Sequence, residues 1–207
     1  AGMQVGLHTM QSMVGWGPKD DPAIAPKADS RLLQDKRATL AAALDEKTAT
    51  LLVQESIKDW PDHGVLFVEG ELIGYEKRTD SGFEGVKRGL YSTTVSAHPA
   101  GASVGNLVNC FPNWGNTVFC PDLKTNMVDE VCQRIADLFN AVGCDMSYFD
   151  AGEELAKQPP AWHNQGVVAL GVTKRLNKPI VLEGNALYTN LSWHVITRGS
   201  PHYDPIY

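Results

Sequence analysis

Residues 123–150 read LKTNMVDEVCQRIADLFNAVGCDMSYFD, and this stretch decides the fold. Its apolar residues are Leu123, Met127, Val128, Val131, Ile135, Leu138, Phe139 and Val142. They step by four, one, three, four, three, one and three, the spacing of one helix face. Asp122 stands where a helix start wants a cap, and Gly143 where a helix stops. Directly afterwards, Asp145 to Asp150 reads as a short strand ending on an acid.

The same alternation continues downstream. A Pro-rich loop (Pro159, Pro160) leads to a second expected helix, about Asn164 to Leu176, which closes at Asn177-Lys178-Pro179. Ile180 to Glu183 is another short strand ending on an acid, and a short helix is expected near Leu187 to Val195. Helix, strand, helix, strand predicts α/β architecture with a parallel sheet. Upstream, Met3 to Met10 reads as a buried strand of that sheet. Gln11 to about Lys36 reads as a long ordered loop of the kind that often carries function.

Between these parts the texture changes. Short β-like runs lie at 50–53, 65–68, 71–75, 83–86 and 103–108, and turn signals such as Glu69-Gly70 and Asp80-Ser81-Gly82 separate them. Short strands with no helix between them predict a small all-β module. The expected organisation is an α/β domain of residues 1–37 and 110–207, with an all-β module of residues 38–109 inserted in it.

Composition bounds the function. The chain has 207 residues, 43% of them hydrophobic and 20% charged, which excludes a disordered chain. The net charge of −6 gives nucleic-acid binding little support, and no apolar run approaches the ~18 residues of a membrane span. Cys110, Cys120, Cys132 and Cys144 show no CxxC spacing. They read as free buried thiols ahead of a disulfide framework, and no metal or other cofactor is expected. The chain opens Ala-Gly-Met-Gln-Val-Gly-Leu, with neither a signal peptide nor an initiator Met, and reads as a processed chain or an internal piece of a longer one.

Asp150 and Glu183 carry the expected chemistry. Each ends a predicted parallel strand, the edge where α/β folds bind ligands. Two carboxylates on one rim are what glycosidic cleavage needs, one as proton donor and the other as nucleophile or base. His8 ends the first strand in the same way. Trp193, His194 and Arg198 form an expected sugar-binding loop, since indole faces stack on sugar rings and Arg or His binds hydroxyls or carboxylates. Trp162 and Glu153, just past Asp150, are further candidates for the same cleft. Plainer readings stand beside these. Asp150 serves equally as a helix cap, Glu183 as a solvated loop acid, His8 as a core histidine, and Trp193 as a core side chain with Arg198 paired to Asp204. No Gly-x-Ser-x-Gly motif and no phosphate-binding glycine loop is present.

Two resemblances add to this. Gly64-Val-Leu-Phe-Val-Glu-Gly-Glu-Leu-Ile-Gly-Tyr75, Phe83-Glu-Gly-Val-Lys-Arg-Gly89, Ala97-His98 and Gly101-Ala-Ser-Val104 resemble a small β module of phage tail and other extracellular proteins. That resemblance implies structure or ligand contact. Gly2-Met-Gln-Val-Gly-Leu-His-Thr9, Gly143-Cys-Asp-Met-Ser-Tyr-Phe-Asp-Ala-Gly-Glu153, Pro179-Ile-Val-Leu-Glu-Gly184 and Trp193-His194 are similar to successive strand ends of a glycoside-hydrolase TIM barrel. The likeness is to the α-galactosidase-like group, whose Tyr-x-Asp strand end carries the nucleophile. It implies a partial barrel, Asp150 as nucleophile, Glu183 as acid/base and a carbohydrate substrate. A whole barrel takes eight units and ~250 residues, and about 135 remain outside the β module, enough for three or four units. Such a piece leaves sheet edges that self-association would cover, and a secreted or periplasmic home would follow for a polysaccharide-degrading enzyme. A non-catalytic glycan-binding or phage-structural protein, and a polysaccharide lyase using His8 or Tyr148 as base, are the alternatives.

Overall fold

The computed structural model describes residues 2–14, 27–111, 118–184 and 198–199. The protein is mixed α/β, with several sheets and few helices, and among the described residues no closed barrel is formed. Its contacts divide the chain into two units, Ala1–Met13 with Cys120–Tyr207, and Val14–Phe119.

The first unit is built on a parallel sheet. β1 (Gly6–Met10) pairs with β9 (Met146–Asp150), β9 with β10 (Val181–Gly184), and β10 with β11 (Arg198–Gly199). Spatial order follows chain order, so every crossover steps in the same direction. With right-handed crossovers, such a sheet carries its helices on one face. Strand parity shows which face that is. Ser147, Phe149 and Leu182 are buried, while Met146, Tyr148, Asp150, Val181 and Glu183 on the other parity are half-buried or exposed.

The helices are α1 (Met127–Val142), α2 (Ala161–Asn164) and α3 (Val167–Thr173). α1 buries Met127, Cys132, Ala136 and Phe139, and α3 buries Val168, Ala169 and Val172. The Cys132 thiol reaches the Val168 carbonyl at 3.7 Å, and burial pushes it up to about 11. Gly143 ends α1 at φ +74°, and its N–H donates to the Phe139 carbonyl at 2.9 Å. That left-handed position is where glycine escapes the Cβ penalty. Asp122 caps a preceding turn instead of the helix: its Oδ1 accepts the Lys124 N–H at 2.9 Å, and α1 starts four residues after the first apolar position of the pattern. The expected helix at Asn164–Leu176 is the shorter α3, and a turn at Gln165-Gly166 separates it from α2, which precedes it. All four cysteines are buried thiols outside any disulfide.

The second unit is antiparallel. One sheet has the order β2 (Gln34–Thr39), β8 (Ser103–Leu107), β4 (Gly64–Val68), β5 (Glu71–Tyr75); the other has β3 (Thr50–Leu52), β7 (Gly82–Glu84), β6 (Lys77–Arg78). Leu51, Ile57, Trp60, Leu66, Val68, Ile73, Phe83 and Val104 belong to its core. Glu69-Gly70 turns β4 into β5 with φ of +49° and +95°, the positive pair that a two-residue hairpin favours. β2 begins inside the stretch expected to be a loop up to Lys36 and runs three residues beyond it.

A buried charge network ties this unit together. The Glu71 side chain is 1% exposed and accepts five N–H bonds. Arg88 donates twice (2.7 and 2.8 Å), His98 Nε2 once (2.9 Å), and the backbone N–H groups of Gly89 and Ser96 once each (3.0 and 3.2 Å). His98 Nδ1 reaches Glu69 at 2.8 Å, and Arg88 also donates to the Asp45 and Ser96 carbonyls. Burial alone would raise the Glu71 pKa. The Arg88 and His98 hydrogen bonds overcome that and hold it below the usual carboxylate range.

Candidate functional site

The parallel register builds a row of functional side chains. His8, Tyr148 and Glu183 stand level across β1, β9 and β10, and the register continues to Arg198 in β11. Level residues of parallel strands face the same way, and residues two apart on one strand do too. Asp150 therefore shares the face of Tyr148 and Glu183, one pleat further toward the carboxyl ends. Glu183 is offset from Asp150 by one strand and two residues, which puts their Cα atoms on the order of 8 Å apart.

His8 and Asp150 are joined directly. The His8 Nε2–H donates to Asp150 Oδ2 at 3.1 Å, and the Ala151 N–H donates to Oδ1 at 2.8 Å. The His8 ring meets Tyr148 edge-on, with centroids 5.2 Å apart. The Asp150 side chain is 28% exposed and that of His8 57%, so both are open to a ligand. Asp150 does not sit as the N-cap of the following 3-10 turn. That position belongs to Ala151, at φ +61°, and the turn runs Gly152–Lys157.

The rim around them is tightly bonded. The Gln11 N–H donates to the Asp150 carbonyl at 2.8 Å, and the Ser12 hydroxyl donates to the Ala151 carbonyl. Glu154 is buried and paired with Lys157, while its neighbour Glu153 is exposed. Trp162 lies in α2; its side chain, and that of Arg198, fall outside the described ones, as do residues Trp193 and His194 entirely. The structure thus brings His8, Asp150 and Glu183 onto one face, with Tyr148 between His8 and Glu183. Tyr148 entered the sequence reading as part of the strand-end motif and as the alternative base of a lyase. Its place in the row follows from parity, two residues before Asp150.

His8 and Asp150 supply two donors, and among the described residues no three His, Cys, Asp or Glu side chains gather as a metal site. What the arrangement offers is acid–base and nucleophilic chemistry: two carboxylates one pleat apart, an imidazole bonded to one of them, and a phenol beside the other. Among the described residues, no helix is long and apolar enough to cross a membrane. No protein family matches the chain, and no curated protein matches it.

Proposed function

We propose that the parallel sheet belongs to a glycoside hydrolase of the (β/α) barrel type, with the β unit inserted between its first strand and first helix. The observation that carries this reading is the placement of Asp150 and Glu183 on one open face of neighbouring parallel strands, with His8 bonded to Asp150. The strand order supports the barrel part of it. Sheets that grow in one direction with helices on one face are those that curl into barrels, whereas doubly wound sheets reverse direction. In a barrel the opposite face is the interior, and its polar carboxyl end is where substrates bind.

Asp150 attacks the anomeric carbon as the glycosidic oxygen leaves, and Glu183 gives that oxygen its proton. Water then enters, Glu183 takes its proton, and the bond between Asp150 and the sugar breaks. His8 holds Asp150 through Oδ2, and the Ala151 N–H holds it through Oδ1, so the attacking carboxylate is fixed at both oxygens. Tyr148 lies beside the path between the two acids. The substrate is a carbohydrate, and no cofactor takes part.

Asp150→Asn tests the assignment. Hydrolysis of nitrophenyl glycosides is expected to vanish with an unchanged melting temperature, and in Asp150→Gly, where the shortened side chain leaves room for an external anion, azide is expected to restore release of the phenol by replacing the lost nucleophile. Full activity in Asp150→Asn would remove Asp150 from the mechanism.

A further inference from the structure

We infer that His8 and Asp150 form a general-base dyad that hydrolyses neutral carboxylic esters. This activity is separate from the glycosidic cleavage proposed above, because it uses Asp150 to orient a base and water as the nucleophile. A carboxylate accepts hydrogen bonds and donates none, so the 3.1 Å bond to Asp150 Oδ2 puts a proton on His8 Nε2. In the neutral ring the other nitrogen, Nδ1, then carries the lone pair. The His8 side chain is 57% exposed, and Asp150 is its one hydrogen-bond partner among the described residues. Nδ1 is therefore a base that a carboxylate orients and that a ligand on the open face can reach.

The orienting end of the pair is held in place. Asp150 Oδ1 accepts the Ala151 N–H at 2.8 Å, and the Asp150 carbonyl accepts the Gln11 N–H at 2.8 Å. The next carbonyl, of Ala151, accepts the Ser12 hydroxyl. A fixed carboxylate on one imidazole nitrogen, with the other nitrogen left for the reacting proton, is how hydrolytic sites pair a base with its orienter. A structural histidine looks different in this chain: the His98 side chain is 1% exposed and has both ring nitrogens against carboxylates.

The chemistry of an imidazole base selects the substrate. The leaving oxygen of a glycoside needs a proton, which a ring with a bare Nδ1 does not supply. An ester carbonyl instead yields to water that has lost its proton. The water oxygen bonds to the acyl carbon, its proton passes to Nδ1, and the carbonyl electron pair moves onto oxygen. The oxyanion then collapses, the bond to the alcohol oxygen breaks, and that oxygen takes the proton back from Nδ1. One water is consumed, and a carboxylic acid and an alcohol are released. Tyr148 stands level with His8 on the next strand, ring centroids 5.2 Å apart, and puts a phenol on the face where the oxyanion forms. Asp150 and Glu183 outnumber Arg198 along this row, which disfavours a phosphate or carboxylate on the substrate.

The test follows acetate release from methyl tetra-O-acetylglucoside, a neutral and unactivated ester that free imidazole attacks poorly. Phenol release from nitrophenyl glycosides and thermal melting are read in parallel, in wild type, His8→Gln and His8→Gly. Gln keeps a donor for Asp150 but supplies no base. His8→Gln is expected to release acetate at least ~100-fold more slowly at an unchanged melting temperature. Added imidazole is expected to restore acetate release in His8→Gly. Acetate release at the wild-type rate in His8→Gln would overturn the inference, as would a loss in both variants that follows a lowered melting temperature. Wild type that cleaves glycosides but releases no acetate would overturn the dyad and leave the glycosidic reading standing. Acetate release without glycoside cleavage would do the opposite, and neither activity would overturn both.

Discussion

Two histidine–carboxylate pairs in this chain make opposite use of the same chemistry. His98, 1% exposed in the antiparallel unit, places each ring nitrogen against a carboxylate oxygen, Glu69 at 2.8 Å and Glu71 at 2.9 Å. Both bonds are made only when both nitrogens carry protons, and Arg88 supplies a further charge to the same carboxylate. His8, 57% exposed in the parallel unit, reaches a single carboxylate, Asp150, at 3.1 Å on a face open to ligands. Removing a partner from the first arrangement strands a buried charge, while removing one from the second leaves solvent to replace it. Around Glu71 the bonding is directed inward and holds loops together. Around Asp150 it fixes a carboxylate and leaves it reachable.

The comparison predicts the largest effect at Asp150. Asp150→Asn is expected to cut turnover of a glycoside by a factor on the order of 10⁴ or more while the protein melts as before. A variant that loses stability in step with activity would place Asp150 with Glu71 among the structural acids. Glu71→Ala should do the reverse. It leaves the Arg88 guanidinium and His98 buried without their shared acceptor, and a loss of about 3–5 kcal/mol is expected in chemical denaturation of the antiparallel unit. A loss below about 1 kcal/mol would mean that water reaches the network and that the contrast with Asp150 is false.

The helix and the strand ends were legible in the sequence, and the reasons are local. The apolar spacing of α1 and the left-handed Gly143 are properties of consecutive residues, and Asp150 and Glu183 follow directly from strands. The register was not legible. That Glu183 stands level with Tyr148 and not with Asp150 depends on how β10 docks on β9, and nothing within either strand encodes it. β2 escaped notice because QDKRAT has no apolar alternation. As an edge strand of its sheet it can carry charges that blunt further pairing. The Glu71 network was missed for a third reason, since Glu71, Arg88 and His98 come from separate segments. The available hint was an acid within the apolar run of β5, followed by an Arg-Gly pair and an isolated His.

Acid sharpens the contrast between the two regions. The folded-state pKa of Glu71 is lowered, so its contribution to stability is fully present above the unfolded value of about 4.3 and is lost as pH falls through the lower folded value. Glu71→Gln is expected to be less stable than wild type at pH 7, and the gap should narrow as pH falls below about 4. A gap that stays constant on acidification would show that the charge of Glu71 does not supply the stability. The smallest effects on stability belong to the open face. His8→Gln is expected to change stability by less than about 0.5 kcal/mol while lowering turnover by roughly 10–100-fold. His98→Gln is expected to cost about 2–3 kcal/mol. Equal stability losses in the two variants would erase the distinction between them.

In the mechanism we propose, Asp150 forms a bond to the sugar from the open face of the parallel sheet. Trapping with an activated fluorinated glycoside, followed by peptide mass spectrometry, reads that bond directly. The predicted result is a glycosyl adduct on the carboxylate of Asp150, formed by wild type and absent from Asp150→Asn. Glycoside cleavage accompanied by an adduct on a different residue, with Asp150 unmodified, would contradict it.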